Sequence, residues 1–101
     1  MSWLDICEED LEENVIHSFD ANGVPIIVLK SEGAFSVFHD RCSHQDIPLS
    51  SFGQIRGGDI LCLAHGAKFC IKDGVVTCPP AKESLVRYPH RVQEGRLFVE
   101  V

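Results

Sequence analysis

The sequence predicts an all-β sandwich or barrel, because short apolar runs alternate regularly with turn dipeptides. These runs recur about every ten residues, which is the spacing of strands in such folds. The turn dipeptides are Asn22-Gly23, Glu32-Gly33, Gly57-Gly58, Asp73-Gly74 and Glu94-Gly95. No segment has the periodicity of a helix of normal length. Because 101 residues can bury only one core, we expect a single domain over residues 1–101.

Ten segments have the apolar or alternating pattern of strands. They are residues 3–7, 15–19, 25–30, 35–39, 59–62, 67–72, 75–78, 85–88, 90–93 and 97–101. An irregular stretch from residue 40 to about residue 56 separates the fourth segment from the fifth. A long loop inside a small domain is usually functional, so we expect part of the functional site there.

The best-defined hairpin spans residues 69–78, since Asp73-Gly74 is a strong signal for a two-residue turn. That turn predicts that Lys72 faces Val75 and that Phe69 faces Cys78. Side chains alternate between the two faces of a strand, so one face of the hairpin should be apolar. We expect this face to carry Phe69, Ile71, Val76 and Cys78, and the other to carry Cys70, Lys72, Val75 and Thr77.

Charge and hydropathy exclude two classes of partner. The net charge is −6 and the pI about 5.2, so the phosphate backbone of a nucleic acid would be repelled. The longest apolar run, residues 25–29, is far shorter than the roughly 20 residues of a membrane span. The first residues run directly into an acidic segment and lack the basic start of a signal peptide. We therefore expect a cytoplasmic protein that binds neither nucleic acid nor membrane.

Five cysteines are more typical of thiols or metal ligands than of a disulfide framework, because the chain looks cytosolic and the number is odd. The predicted hairpin places Cys70 and Cys78 on opposite faces, where they cannot form a disulfide without distortion. We interpret Cys7, Cys70 and Cys78 as small packing residues. Cys42 and Cys62 remain as candidates for chemistry.

These two cysteines belong to the short clusters Cys42-Ser43-His44 and Cys62-Leu63-Ala64-His65. Each cluster supplies one thiolate and one imidazole at chelating spacing. Zinc sites usually place two cysteines on one knuckle or two histidines together, although a zinc site stays possible. The mixed pairs fit two distinguishable irons better, as in Rieske centres, where two histidines replace two cysteines on one iron. The neighbouring histidine His39 continues the alternation of residues 35–39, and we interpret it as a structural residue at the end of a strand.

The whole chain resembles the Rieske ferredoxins that serve bacterial aromatic-ring oxygenases. The resemblance rests on Cys42-Ser43-His44-Gln45, on Cys62-Leu63-Ala64-His65-Gly66, on the following hairpin and on the proline loop Cys78-Pro79-Pro80-Ala81. It implies a Rieske fold, in which two ligand loops and a proline loop, here about residues 40–81, cover an antiparallel β-sandwich base. It also implies one 2Fe-2S cluster, with thiolates of Cys42 and Cys62 on one iron and imidazoles of His44 and His65 on the other.

The resemblance further implies a function without catalysis by the chain itself. Such a ferredoxin passes single electrons from a flavin-containing, NADH-dependent reductase to a terminal oxygenase. A chain of 101 residues has no room for the additional domain that would hold the mononuclear iron of an oxygenase. The docking tip should be formed by the exposed edges of the ligand histidines and by nearby loop residues. These residues are His44, His65, Gln45, Pro48, Pro79 and Pro80.

The sequence departs from the high-potential respiratory relatives of this family at four positions. Those relatives join the loops by a disulfide and donate hydroxyl hydrogen bonds to the cluster sulfurs. Here Ile47 and Ala64 stand where the bridging cysteines would be, and Ala67 and Phe69 replace the serine and tyrosine. Fewer donors mean less stabilisation of the reduced state, so we expect a potential toward the low end of the Rieske range.

Three alternative functions stay open at this stage. The small subunit of assimilatory nitrite reductase is a similar Rieske-like domain that acts inside a stable complex. A zinc-stabilised interaction module would be colourless and would unfold when treated with chelators. A redox sensor would need an effector surface, which the sequence does not show.

Overall fold

The computed structural model describes residues 3–42, 47–64, 66–78 and 83–101, and we call these the described residues. They form ten strands and one helix of 4 residues. The elements are β1 (Trp3–Glu8), β2 (His17–Ala21), β3 (Val24–Ser31), β4 (Ala34–His39), α1 (Leu49–Phe52), β5 (Gly53–Arg56), β6 (Asp59–Cys62), β7 (Lys68–Cys70), β8 (Val76–Cys78), β9 (His90–Gln93) and β10 (Arg96–Glu100). No helix in these ranges has the length and apolar character of a membrane span.

The strands form three antiparallel sheets, in the orders β1-β10-β9, β2-β3-β4 and β5-β6-β7-β8. The first two sheets share a buried core, which is the base of the fold. This base core contains Ala21, Ile26, Val28, Val37, Leu97 and Val99. The prediction of an all-β fold with antiparallel sheets is confirmed.

A second core lies between the second sheet, β2-β3-β4, and the third sheet, β5-β6-β7-β8. Because successive side chains of a strand point to opposite faces, β3 sends Ile26 and Val28 into the base core, and Ile27 and Leu29 into this second core. Burial on both faces explains why β3 is a continuous apolar run rather than an alternating one. The second core also contains Cys42 and Cys62, and we call it the cysteine core.

The irregular stretch predicted from residue 40 to about residue 56 is partly wrong, because it contains α1 and β5. Both elements are only 4 residues long, and neither has enough residues to show a period. The strand predicted at residues 85–88 is also wrong. That segment makes an isolated bridge to β4, between Phe38 and Arg87, and it ends before Pro89, which has no backbone N–H to continue a ladder.

The predicted register of the 69–78 hairpin is wrong by two residues. Phe69 pairs with Val76 instead of Cys78, and a bulge follows in β8. The turn is wider than two residues. Cys70 donates its N–H to the carbonyl of Val75 and accepts the N–H of Gly74, both at 2.8 Å, so residues 71–74 form the turn and Ile71 lies buried in it. Where the shift is two residues the side chains keep their predicted faces, and Phe69 and Ile71 are buried while Val75 is exposed. Beyond the bulge the shift is one residue, because Lys68 pairs with Cys78.

Candidate metal centre

The two candidate thiols lie at the bases of two loops that are closed in the same way. Cys42 follows β4, and its N–H donates to the carbonyl of Ile47 at 2.8 Å. Cys62 ends β6, and its N–H donates to the carbonyl of Ala67 at 2.8 Å. In each loop the accepting carbonyl lies just beyond the predicted histidine ligand. Each loop thus begins at a cysteine and is closed at its base by the same hydrogen bond, from that cysteine to the residue five positions on.

Both cysteines are buried, with 1% of Cys42 and 0% of Cys62 exposed, and both belong to the cysteine core. Cys42 is a free thiol, as are the half-buried Cys7 and Cys70. Of the described cysteines, only Cys42 and Cys62 lie in loops of this kind. Burial raises the pKa of the Cys7 thiol, which disfavours a reactive thiolate at that position.

The other two predicted ligands, His44 and His65, lie outside the described residues. Within the described ranges, no group of three histidine, cysteine or carboxylate side chains is placed to hold a metal ion. The predicted ligand set contributes only Cys42 and Cys62 to those ranges. Two buried cysteines in one apolar core fit the thiolate-bound iron of a Rieske centre, which needs two cysteines and a surrounding of low polarity.

The second loop turns back sharply at Gly66. Its φ is +79°, a conformation that L-residues with side chains rarely adopt, and its N–H donates to the carbonyl of Cys62 at 2.8 Å. This bond and the bond from Cys62 to Ala67 close the loop twice. A glycine adopts this conformation without the strain that a Cβ atom would bring.

Helix α1 lies between the two loops and touches both by hydrogen bonds. At its beginning, Ser50 donates its backbone N–H and its hydroxyl to the two carboxylate oxygens of Asp40, at 2.8 and 2.5 Å. At its end, the carbonyl of Phe52 accepts the N–H of Leu63 at 2.8 Å. Asp40 lies just before Cys42, and Leu63 just after Cys62. The sequence analysis did not single out any of these contacts.

An exposed apolar pair lies beside the second loop. The register of β5 and β6 places Gly53 opposite Cys62, so Phe52 and Leu63 form the next pair along the two chains. Their side chains are 46% and 57% exposed. Of the predicted docking residues, Pro48 is exposed, while Gln45, Pro79 and Pro80 lie outside the described residues. Sequence reasoning missed Phe52 and Leu63, although Leu63 directly follows a predicted ligand.

The remaining described histidines have structural partners. The Nδ1 atom of His39 lies 3.2 Å from the hydroxyl of Tyr88, at the edge of the base core. The Nε2 atom of His17 lies 2.9 Å from the carbonyl oxygen of Glu12. His90 packs against an aromatic ring, and its pKa is lowered by burial and by a nearby arginine. These contacts support the interpretation of His39 as a structural residue, and they indicate structural or surface roles for His17 and His90 as well.

Comparison with known proteins identifies the family. The model of the Rieske 2Fe-2S domain matches residues 2–89. The chain belongs to this family. It is 35% identical to the 3-phenylpropionate/cinnamic acid dioxygenase ferredoxin subunit of Escherichia coli K12 over 78 residues. The aligned stretch covers 76% of this chain and 74% of that protein. The prediction of one Rieske-type 2Fe-2S cluster is confirmed.

Solved structures of this Rieske family share the fold. The ferredoxin of carbazole 1,9a-dioxygenase from Nocardioides aromaticivorans IC177 superimposes with a TM-score of 0.88 at 22% identity, covering 98% of this chain and 97% of that one. A ferredoxin chain in a complex with the oxygenase of carbazole 1,9a-dioxygenase gives a TM-score of 0.87 at 28% identity, covering 96% and 91%. The prediction of a Rieske fold is therefore confirmed.

Proposed function

We propose that this Rieske protein is the ferredoxin of a bacterial aromatic-ring oxygenase system. It takes single electrons from a flavin-containing, NADH-dependent reductase and delivers them to a terminal oxygenase. One observation carries the proposal: two buried cysteines begin similar closed loops beside an exposed apolar pair. The names of its relatives, a dioxygenase ferredoxin subunit and a ferredoxin bound to an oxygenase, support the same function.

The proposed ligands of the cluster are Cys42 and Cys62 on one iron and His44 and His65 on the other. When bound, the 2Fe-2S cluster supplies reversible one-electron transfer. Two thiolates and two neutral imidazoles leave the oxidised centre formally neutral, so reduction adds a single negative charge. The protein has to stabilise this charge with hydrogen bonds and dipoles, because the cysteine core itself is apolar.

We further propose that residues 1–101 act as one domain in the cytoplasm. The described sheets support a single domain, since the second sheet, β2-β3-β4, contributes residues to both cores. Free thiols at Cys7, Cys42 and Cys70 suit a reducing compartment.

The electron-transfer proposal is tested by anaerobic mixing. The reduced protein, mixed with the oxidised terminal oxygenase of its system, is expected to lose its reduced-state EPR signal as the oxygenase becomes reduced. A colourless protein with stoichiometric zinc would contradict the proposal. So would a coloured protein that transfers no electrons to the oxygenase.

We expect a reduction potential below 0 mV at neutral pH, toward the lower end of the roughly −150 to +300 mV range of Rieske centres. The physical reason is the loss of hydroxyl donors at Ala67 and Phe69, both of which are fully buried. Replacing Ala67 with serine should raise the potential measured by voltammetry. Ala21→Ser is the matched control, since Ala21 is equally small and lies buried in the base core. Equal potentials in the two variants would contradict this explanation.

Leu63 is expected to contact the partner protein, because its exposed side chain follows Cys62 directly. Apolar surface at the centre of an interface contributes most when a partner removes it from water. Replacing Leu63 with glutamate should slow electron transfer to the oxygenase about tenfold, a change of about 1.4 kcal/mol. Stopped-flow absorbance measures this rate, and the visible spectrum should stay unchanged. Val75→Glu is the control, because Val75 is similarly exposed but lies in the β7–β8 turn. An equal rate for both variants would remove Leu63 from the interface.

A further inference from the structure

We infer that α1, fixed by a clasp between Asp40 and Ser50, positions the two ligand loops relative to each other and slows the loss of the cluster. This inference rests on the ligand set proposed above. It concerns positioning residues, since neither Asp40 nor Ser50 is a proposed ligand. Its basis is a chain of hydrogen bonds that connects the base of one loop to the base of the other.

The first connection fixes α1 to the base of the first loop. Asp40 is itself held in place, because its N–H donates to the carbonyl of Pro25 at 3.0 Å. Its carboxylate accepts two hydrogen bonds from Ser50, which lies 10 positions further along the chain. Bonds to a charged acceptor are stronger than neutral ones. The clasp thus encloses the whole segment that contains Cys42 and His44.

Helix α1 depends on this clasp. A helix of 4 residues is far too short to be stable on its own. The residue at its N-cap is Pro48, and no side chain makes a hydrogen bond at that position. The carboxylate of Asp40 therefore takes the place of an N-cap side chain, because it accepts an N–H of the first turn that has no partner within the helix.

The second connection fixes α1 to the base of the second loop. The carbonyl of Phe52 accepts the N–H of Leu63, and Gly53 pairs with Cys62. The junction is tight, because a Cβ atom on Gly53 would lie 2.5 Å from the carbonyl oxygen of Leu49. Leu49 is itself fully buried in the cysteine core. The end of α1 therefore cannot move without disturbing the strand that carries Cys62.

Together, the two connections hold the loops at a fixed separation. A cluster bound by one thiolate and one imidazole from each loop needs that separation to be kept. If the clasp is lost, the first loop can move away while the second stays in the sheet. The expected consequence is faster release of the cluster, with little change in the base core, which shares no residue with the cysteine core.

The test is the rate at which the purified holoprotein loses its visible absorbance in an excess of an iron chelator, well below its unfolding temperature. Ser50→Ala removes the hydroxyl bond and should speed this loss about fivefold, which corresponds to about 1 kcal/mol. Asp40→Ala removes both bonds and should have a larger effect. Ser50→Thr keeps the hydroxyl and should restore the rate of the unchanged protein. The EPR spectrum of each reduced variant reports whether the ligand geometry has shifted.

Glu13→Ala is the matched control. The Glu13 carboxylate also accepts two bonds, from the N–H groups of Glu32 and Gly33 at 3.2 and 3.0 Å, but it does so at the β3–β4 turn. This variant should release the cluster at an unchanged rate, even if its unfolding temperature falls. Equal release rates in Ser50→Ala and Glu13→Ala, or a failure of threonine to restore the rate, would overturn the inference. Zinc instead of iron in the unchanged protein would refute the proposed function, which is a different result.

Discussion

Replacing Cys62 with alanine is expected to abolish the cluster, so that the purified protein lacks iron, sulfide and visible absorbance. Cys62 is the last residue of β6 and is fully buried in the cysteine core. Alanine fills most of the same space but supplies no thiolate, and among the described cysteines only Cys42, itself a proposed ligand, begins a loop closed in the same way. The measurement is iron and sulfide per chain after anaerobic reconstitution. We expect less than a tenth of the content of the unchanged protein, because each loop contributes a single thiolate.

Cys70→Ala is the control for this substitution. Cys70 ends β7 in the same sheet, but it is only half-buried and pairs with Asp59. It should keep its full iron content, and so should Cys7→Ala in the first sheet. Retention of stoichiometric iron by Cys62→Ala would show that the ligand set is wrong. Loss of iron from Cys70→Ala would show the same.

The sequence predicts those strands best in which side-chain alternation or continuous burial determines the pattern. Residues 59–62 and 90–93 were predicted with the bounds that the structure has, and β3 extends beyond the predicted 25–30 by one residue at each end. In such segments the hydrophobic pattern carries the information, since it must match the core on one or both faces. Fold class and most strands could therefore be inferred from local sequence.

Elements that depend on distant contacts could not be inferred. Helix α1 is held by Asp40 at one end and by Leu63 at the other, and neither bond is encoded within the helix. Strand β5 is equally short and exists because it pairs with β6. The predicted register of the 69–78 hairpin is wrong because Asp73-Gly74 signals a two-residue turn, whereas the bond from the N–H of Gly74 to the carbonyl of Cys70 closes a turn over residues 71–74.

The candidate site likewise combines features that local sequence predicts with features that depend on distant contacts. The spacing of cysteines and histidines is a local signal, and it predicts Cys42 and Cys62 as a pair, which the structure buries in one core. The exposure of Phe52 and Leu63 depends on how β5 and β6 pair, which spacing does not reveal. The clasp is also invisible in the sequence, since an aspartate and a serine 10 positions apart form no motif. The sequence alone thus predicts the chemistry of the ligands, whereas the contacts that hold the ligands in place become visible only in the structure.

Gly74→Ala is expected to cause a large loss of stability, because both the backbone and the space around it exclude a side chain. The φ of Gly74 is +75°, which costs an L-residue about 1–2 kcal/mol. A Cβ atom there would lie 2.7 Å from Cε1 of Phe38 and 3.2 Å from Cβ of Leu85, both in the cysteine core. Forcing extra volume into a packed core adds about 1–3 kcal/mol. The combined loss is about 2–5 kcal/mol, which should lower the thermal midpoint by at least about 10 °C.

Gly95→Ala separates the two causes, because Gly95 has nearly the same φ, +77°, but a Cβ atom there would meet nothing within 4 Å. This variant should show only the backbone cost, about 1 kcal/mol or a little more. Thermal unfolding followed by circular dichroism compares the two variants under identical conditions. If Gly74→Ala is no less stable than Gly95→Ala, Phe38 and Leu85 move aside for the added Cβ atom at little cost in stability.

The carbonyl of Gly74 accepts the N–H of Leu85 at 2.9 Å, so strain at this turn should also reach the chain that leaves the proline loop. Gly74→Ala should therefore lose its cluster faster than Gly95→Ala at the same temperature.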